Sequence, residues 1–293
     1  MSFRINQTLK KQNRVADYLN INYIQPYFDG KLPHWDIRPK QNLETQKIVW
    51  QLWYQGFDKD LPPVIRACFH SVDKYMSDYK IIRLTKDTIA DYLDLPGFTF
   101  EKTGKAYKMA HFSDLLRVCL LAAYGGLWLD AKILLTGKID STLLEKDFFL
   151  FQRTAQPPID EQQWVEYYHK YFYWNEQFKV NSLNSFIVAK KNYPLLEIMK
   201  NILFAFWQNE NKVQHYFWFQ IMFNEVVKRA DCQGLNCEII NDIDVHRIQL
   251  ALKDEWTPEK WQQLCRLTTI HKLRVVKNFS EKSFYAYILR QTT

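Results

Sequence analysis

The sequence is short of the residues that build phosphate loops, zinc ribbons and membrane spans. It has eight glycines in 293 residues. Only Gly56 follows the first strand-like segment, which argues against a nucleotidyltransferase with a Gly-rich phosphate loop there. Its five cysteines, Cys68, Cys119, Cys232, Cys237 and Cys265, form no Cys-x-x-Cys pair. An odd number without paired spacing points to buried thiols in a reducing compartment, and Cys232 and Cys237 lack a second half-site for zinc. The longest apolar stretch, Val118 to Leu129, is bounded by Arg117 and Asp130 and is too short to span a bilayer. The N-terminal Met-Ser-Phe-Arg-Ile-Asn-Gln has no apolar segment of the signal-peptide kind, so a cytoplasmic location is expected. No Lys/Arg run exceeds two residues and no nucleic-acid-binding motif occurs, so nucleic acid is not an expected partner. Internal repeats and low-complexity blocks are also missing.

What is present in excess is aromatic surface and positive charge. Apolar residues make up 47% and aromatics 16%, with ten Trp and seventeen Tyr, which marks a globular chain. Aromatics beyond the needs of a core suit stacking on a nucleotide base or sugar ring, or contact with a membrane. The net charge of +7 suits phosphorylated small molecules or an anionic membrane surface.

Residues 3–20 have a helical pattern, with Arg4, Lys10, Lys11 and Arg14 against Asp17 alone. Residues 22–46, rich in Pro, Asn and Gln, read as an irregular connector. Lys47–Trp53 reads as a strand, and Pro62-Pro63 opens a helix to about Met76. Tyr79–Leu84 is a second strand, with Thr85 as the expected N-cap of a helix through Tyr92. A long helix around 105–124 and a strand over 127–135 follow. This alternation is the signature of an open α/β sheet. Further on, Asp147–Gln152 and Asn181–Ala189 read as strands, 157–179 as an aromatic loop, and 194–208 and 212–229 as helices. Thr257-Pro258-Glu259 opens a helix to Cys265, Lys272–Val276 is a last strand, and 280–290 is a basic, aromatic tail helix. The aromatic loop suits an acceptor platform or a lid, and equally packing over the sheet; the basic end helices suit a membrane surface or plain solvation.

The stretch 110–132 carries the most chemistry. It is apolar at nearly every position, and Ser113, Asp114 and Arg117 form a narrow polar stripe that shares one helix face at i, i+3 and i, i+4 spacing. Gly125-Gly126 ends the helix, and Asp130 stands inside the apolar run that follows. Buried ionisable groups are expensive unless they pair or bind something. Asp114 and Arg117 therefore either tie helix to sheet as an ion pair or face a ligand.

Four blocks carry a family resemblance: Lys-Ile-Val-Trp-Gln-Leu-Trp-Tyr-Gln-Gly at 47–56, the 110–135 segment with Ser-Asp-x-x-Arg and Gly-Gly-x-x-x-Asp, Ser-Phe-Ile-Val-Ala-Lys-Lys-Asn at 185–192, and Thr-Ile-His-Lys-Leu at 269–273. In this order they resemble the bacterial capsular polysaccharide synthesis glycosyltransferases, related to the DXD sugar-binding group of glycosyltransferase family 32. The resemblance implies a GT-A type, Rossmann-like α/β sheet over residues 47–277, with a helical and irregular extension at 1–46 and a C-terminal helix at 278–293. It implies transfer of a sugar from a nucleotide-diphosphate donor, a UDP-sugar first among them, with retention of configuration, to an oligosaccharide or lipid-linked glycan in surface polysaccharide assembly. An anionic membrane surface, at its inner face, is then a further expected partner.

Carried over by position, Asp130, Arg117 and Asp114 are the catalytic candidates, and Trp50, Gln51, Ser113, Lys132 and Lys272 the donor-binding ones. Asn181 and Asn184 read sugar hydroxyls or enter a strand as turn residues. The sequence departs from the family pattern in the DXD triplet, which is Asp130-Ala131-Lys132 and lacks its second acid. Two arrangements fit. Asp130 and His271 hold Mn²⁺ or Mg²⁺ at the diphosphate, or the cations Arg117, Lys132 and Lys272 replace the metal. In one continuous strand Asp130 and Lys132 would share a face. The competing reading is a catalytically silent GT-A module that only binds nucleotide-sugar or glycan.

Overall fold

The computed structural model describes residues 3–57 and 61–291. Its centre is a mixed sheet of five strands: β1 (Ile48–Leu52), β2 (Lys80–Leu84), β3 (Gly126–Leu129), β5 (Phe148–Gln152) and β6 (Ser182–Ala189), in the order β2-β1-β3-β6-β5. β1 is parallel to β2 and β3, while β6 runs antiparallel to both β3 and β5, so four strands point one way. Two short strands, β4 (Ile133–Leu135) and β7 (Ile270–Lys272), form a separate antiparallel ribbon.

Strand side chains alternate between two cores. Trp50 and Trp128 face the larger one, while Val49, Leu127 and Leu129 face the other. The larger core is covered by α1 (Phe3–Leu19), α5 (Met109–Tyr124), α8 (Pro194–Asn209) and α9 (Trp218–Val227), and α1 contributes Leu9, Val15, Ala16 and Leu19 to it. Under the ribbon, α3 (Pro63–Tyr75), α10 (Ile243–Ala251) and α12 (Phe284–Arg290) enclose a third cluster that includes Val64, Ile248 and Tyr285. The remaining helices are α2 (Gln25–Phe28), α4 (Gly97–Lys102), α6 (Ser141–Leu144), α7 (Glu161–Tyr168) and α11 (Pro258–Leu267).

Gly125 and Gly126 make the turn between α5 and β3 possible. Their φ angles are 72° and 103°, and a Cβ on Gly126 would lie 2.8 Å from the Ile48 carbonyl oxygen. That close approach sets β3 against β1. The cap expected of Thr257 is in place, accepting from the Lys260 amide, and Ser283 caps α12 in the same way, accepting from the Ala286 amide.

Several local expectations are corrected. The segment after α1 stays helical through a π-turn, Asn20–Ile24, and α2, instead of becoming irregular at residue 22. Thr85 caps no helix; its amide donates to Thr88 Oγ1, and only a 3₁₀ turn at Ile89–Asp91 follows. The strand expected over 127–135 is two strands in two sheets. Asp130 sits at the break, its carbonyl accepting from the Ile133 amide at 2.9 Å, so Asp130 opens a turn and does not share a strand face with Lys132. The aromatic 157–179 segment contains α7, and its Trp164 and Phe172 are buried packing residues. The helix expected from 212 begins at Trp218, the last strand is Ile270–Lys272, and α4 and α10 had no periodic signal. Among the described residues no helix is long and apolar enough to cross a membrane.

Candidate active site

The site lies where the parallel strands end. β3 runs into Asp130, and because β6 is antiparallel its first residues arrive at the same edge, so the Asp130 amide donates to the Ser185 carbonyl at 2.9 Å. In open α/β sheets ligands bind at this carboxyl edge.

Arg117 projects from α5 into this edge and is 3% exposed. Its Nε donates to the Ser113 carbonyl at 3.1 Å, and Nη2 donates to Ser113 Oγ at 2.9 Å. Nη2 also lies 3.3 Å from Asp114 Oδ1 and 3.2 Å from Asp130 Oδ1, and Nη1 donates to the Asn184 carbonyl. The guanidinium rests 5.1 Å from the Trp128 ring centroid. A buried cation is tolerable when each of its nitrogens is met in this way.

Asp130 is held by three partners. Trp128 Nε1 donates to Oδ1 at 2.9 Å, Arg117 faces the same oxygen, and Lys272 Nζ donates to Oδ2 at 2.7 Å. Lys272 also donates to Ser185 Oγ at 2.6 Å. Burial opposes the charged form of Asp130, but the Lys272 and Arg117 charges outweigh it and hold the carboxyl far below its usual range. Asp114 goes the other way. Burial, against the pull of Arg117 and with the push of Asp130, raises it to about 7. Its Oδ1 accepts from Asn184 Nδ2 at 2.8 Å, and Gln220 Nε2 donates to Asn184 Oδ1 at 3.1 Å.

These groups line a cavity of about 800 Å³. Its walls carry four cationic side chains, Arg117, Lys132, Lys272 and Arg274, against two carboxylates, Asp114 and Asp130. Trp53, Tyr54 and Gln55, just past β1, form another part of the wall, and half-exposed Tyr216 and Tyr168 lie along it. His111 and His246 also reach it; burial pulls each imidazole down to about 4.

Ser113, Asp114, Arg117, Asp130, Lys132, Asn184 and Lys272 are thus brought together on one cavity. Four expected residues are not. Trp50 is fully buried, its Nε1 donating to the Gly125 carbonyl at 3.0 Å and its ring against Tyr92 and Tyr124. Gln51 is fully buried on the opposite face of β1, accepting from Arg83 Nε at 3.0 Å. Asn181 donates to Asn224 Oδ1 at 3.1 Å, away from the cavity. His271 neighbours Lys272 in β7, and alternation turns it away from Asp130. Its Nε2 pairs with Thr136 Oγ1 at 3.0 Å, and burial lowers the ring to about 3.

The donor set does not fit a divalent cation. Mn²⁺ and Mg²⁺ need several oxygen ligands. Both Asp130 oxygens are already bonded to cationic or N–H donors, and an ammonium stands 2.7 Å from one of them. Among the described residues no cluster of three or more His, Cys, Asp or Glu is arranged to hold a metal.

Ser185, Tyr216, His246 and Arg274 were not anticipated at the site. Arg274 had a readable signal, since Lys272 and Arg274 alternate about Leu273 and so point the same way. His246 had none, because α10 was itself unexpected.

Comparison with known proteins adds the following. A family model described as "Capsular polysaccharide synthesis protein" matches residues 2–289. A curated relative, "O-glycosyltransferase braB" of Annulohypoxylon truncatum, is 24% identical over 199 residues, covering 64% of this chain and 44% of that protein. The chain therefore spans less than half of that relative's length. A solved structure described as "PaToxG Glycosyltransferase" aligns over 77% of this chain and 79% of that chain, at 14% identity and a TM-score of 0.40.

Proposed function

The chain belongs to the capsular polysaccharide synthesis protein family, and from that premise we propose that it is a glycosyltransferase of GT-A type. It moves a sugar from a nucleotide-diphosphate donor, a UDP-sugar first among the candidates, to an oligosaccharide or lipid-linked glycan. The carrying observation is the Arg117–Asp130–Lys272 array at the carboxyl edge of the sheet, opening on a cavity with more cations than carboxylates. The family membership and the name of the curated relative support the same reading.

The barrier to transfer lies at the anomeric carbon, which gains positive charge as the diphosphate leaves. Lys272, fixed by Asp130 and Ser185, is a preorganised charge for the departing oxygens. Asn184 is held by Gln220 and Asp114 at the cavity wall, where it suits a sugar hydroxyl. Trp53 and Tyr54, in place of Trp50, are the aromatics that line the cavity past β1 and suit the base. Both cleft carboxylates face Arg117, and His111 and His246 are weak bases at about 4. That leaves Asp114, raised to about 7, and the departing phosphate oxygen as acceptors for the incoming hydroxyl's proton, and the second of these fits a retaining transfer. The lipid-linked form of acceptor would bring an anionic membrane surface close to the protein.

The test is a panel of UDP-, GDP- and TDP-sugars, followed for donor hydrolysis and for transfer to oligosaccharide acceptors. Turnover of one donor, abolished by Asp130→Asn, supports the reading. Tight binding without turnover on any donor favours a silent binding module, and no binding at all rejects the cleft as a donor site.

A further inference from the structure

We propose that protein cations alone, Lys132, Lys272 and Arg274, hold the donor's diphosphate, and that Asp130 is a positioning residue for Lys272 and Arg117, not a metal ligand. This rests on the reading of the cleft as a nucleotide-diphosphate-sugar site and names how that site recognises its charge.

The four cleft cations are not equally available. Arg117 is almost fully buried, and its donors face Ser113, Asp114, Asp130 and the Asn184 carbonyl. It is spent on the protein. Lys272 uses two donors, on Asp130 and Ser185, which leaves one of its three for a ligand. Lys132 and Arg274 both line the cavity, and neither has a carboxylate partner among the described residues. Arg274 Nε is buried without a hydrogen-bond partner, and its guanidinium lies 5.8 Å from the Tyr167 ring centroid.

The fold sets these cations side by side. The Leu273 amide donates to the Lys132 carbonyl at 2.8 Å, which ties the backbone just before β4 to the end of β7, and Lys132, Lys272 and Arg274 line the one cavity there. Leaving such charges unpaired in a recessed site is costly, and a diphosphate offers the missing acceptors. A divalent cation in the same place would have to displace Lys272 from Asp130 and then sit beside the displaced ammonium and Lys132. Coulomb repulsion among these charges opposes that at every step.

Titration of the full chain with inorganic pyrophosphate, followed by calorimetry in EDTA and again with Mn²⁺, tests the proposal. Mn²⁺ alone is titrated as a third arm. The expected result is saturable pyrophosphate binding in EDTA, weakened about tenfold or more in Arg274→Gln and in Lys132→Gln. Both positions are partly exposed, and the variants are checked for an unchanged melting temperature. Pyrophosphate binding that requires Mn²⁺, or a stoichiometric Mn²⁺ site lost in Asp130→Asn, overturns the proposal while leaving the donor-site reading intact. So does binding in EDTA that is indifferent to both glutamine variants. If pyrophosphate binds under neither condition, the donor-site reading falls and takes this proposal with it.

Discussion

Lys272 and Asp130 are 142 positions apart in the chain and meet at 2.7 Å, one on the two-stranded ribbon and the other at the end of the central sheet. Their contact, with the Lys272–Ser185 bond beside it, ties the ribbon to the central sheet at the cleft. It also fixes the charge of the site, because Asp130 has Arg117 on its other oxygen and stays ionised between two cations.

Asp130→Asn keeps the size of the side chain, removes its charge and turns one of its two acceptor atoms into a donor. Turnover is expected to fall by at least about 100-fold, as when a fixed electrostatic element of a transition-state site is lost. Unfolding in urea, followed by fluorescence, is expected to show a loss of about 1–3 kcal/mol, because Lys272 and Arg117 lose their shared acceptor. A variant with wild-type kcat would remove Asp130 from the mechanism.

Asp114 gives a pH signature of its own. Its folded-state value of about 7 lies above the ordinary 3.8, so the native state holds a proton that the unfolded chain releases. Its contribution to stability is complete below about pH 4 and is lost as the pH rises through about 7. Asp114→Asn cannot titrate. Its stability relative to wild type should therefore rise between about pH 4 and about pH 8, by on the order of 3 kcal/mol. Paired urea titrations at the two ends of that range measure it, and an unchanged difference would contradict the assignment.

His271 behaves in the opposite sense. Burial holds its folded value at about 3, below the ordinary 6.5, so the unfolded state binds the extra proton. The stability it allows is present above about pH 6.5 and is lost as the pH falls towards about 3. His271→Gln should flatten the acid limb by on the order of 2 kcal/mol between about pH 6.5 and about pH 4.5. It should leave activity unaffected by added Mn²⁺ or EDTA, since the ring faces Thr136 and not the cleft.

Trp50→Phe separates packing from ligand contact. The indole N–H bonds the Gly125 carbonyl inside the core, so its loss should cost about 1–2 kcal/mol. Nucleotide affinity should not change, because Trp50 does not line the cavity. A tenfold weaker nucleotide Kd would return Trp50 to the donor site.

Gly126→Ala should destabilise by on the order of 2 kcal/mol or more. A side chain at φ 103° is strained, and its Cβ would meet the Ile48 carbonyl oxygen at 2.8 Å. Thermal unfolding measures the loss directly.

The sheet was legible because its strands are short apolar runs bounded by Gly, Pro and capping residues, and periodicity reports such elements well. The central cluster was legible because Ser113, Asp114 and Arg117 interrupt an otherwise apolar helix. The misplaced residues share a cause. Trp50, Gln51 and His271 occupy strands, where one position of offset reverses the face, and sequence alone fixes neither the register nor the point where a strand leaves its sheet. The run from 127 to 135 looks like a single strand, yet it changes sheets at Asp130. Tyr216 and His246 reach the cavity from segments with no chemical motif, and only the three-dimensional path of the chain collects them.

The ribbon of β4 and β7 has a consequence for how the protein can be divided. A fragment ending before Ile270 would keep every strand of the central sheet, with Asp130 and Arg117 in their places in the order of the chain. It would lack Lys272 and Arg274, and β4 would be left with an unpaired edge. The cleft is therefore walled from both sheets, and the short stretch Lys272–Arg274 closes it as directly as the Asp130 turn at its centre.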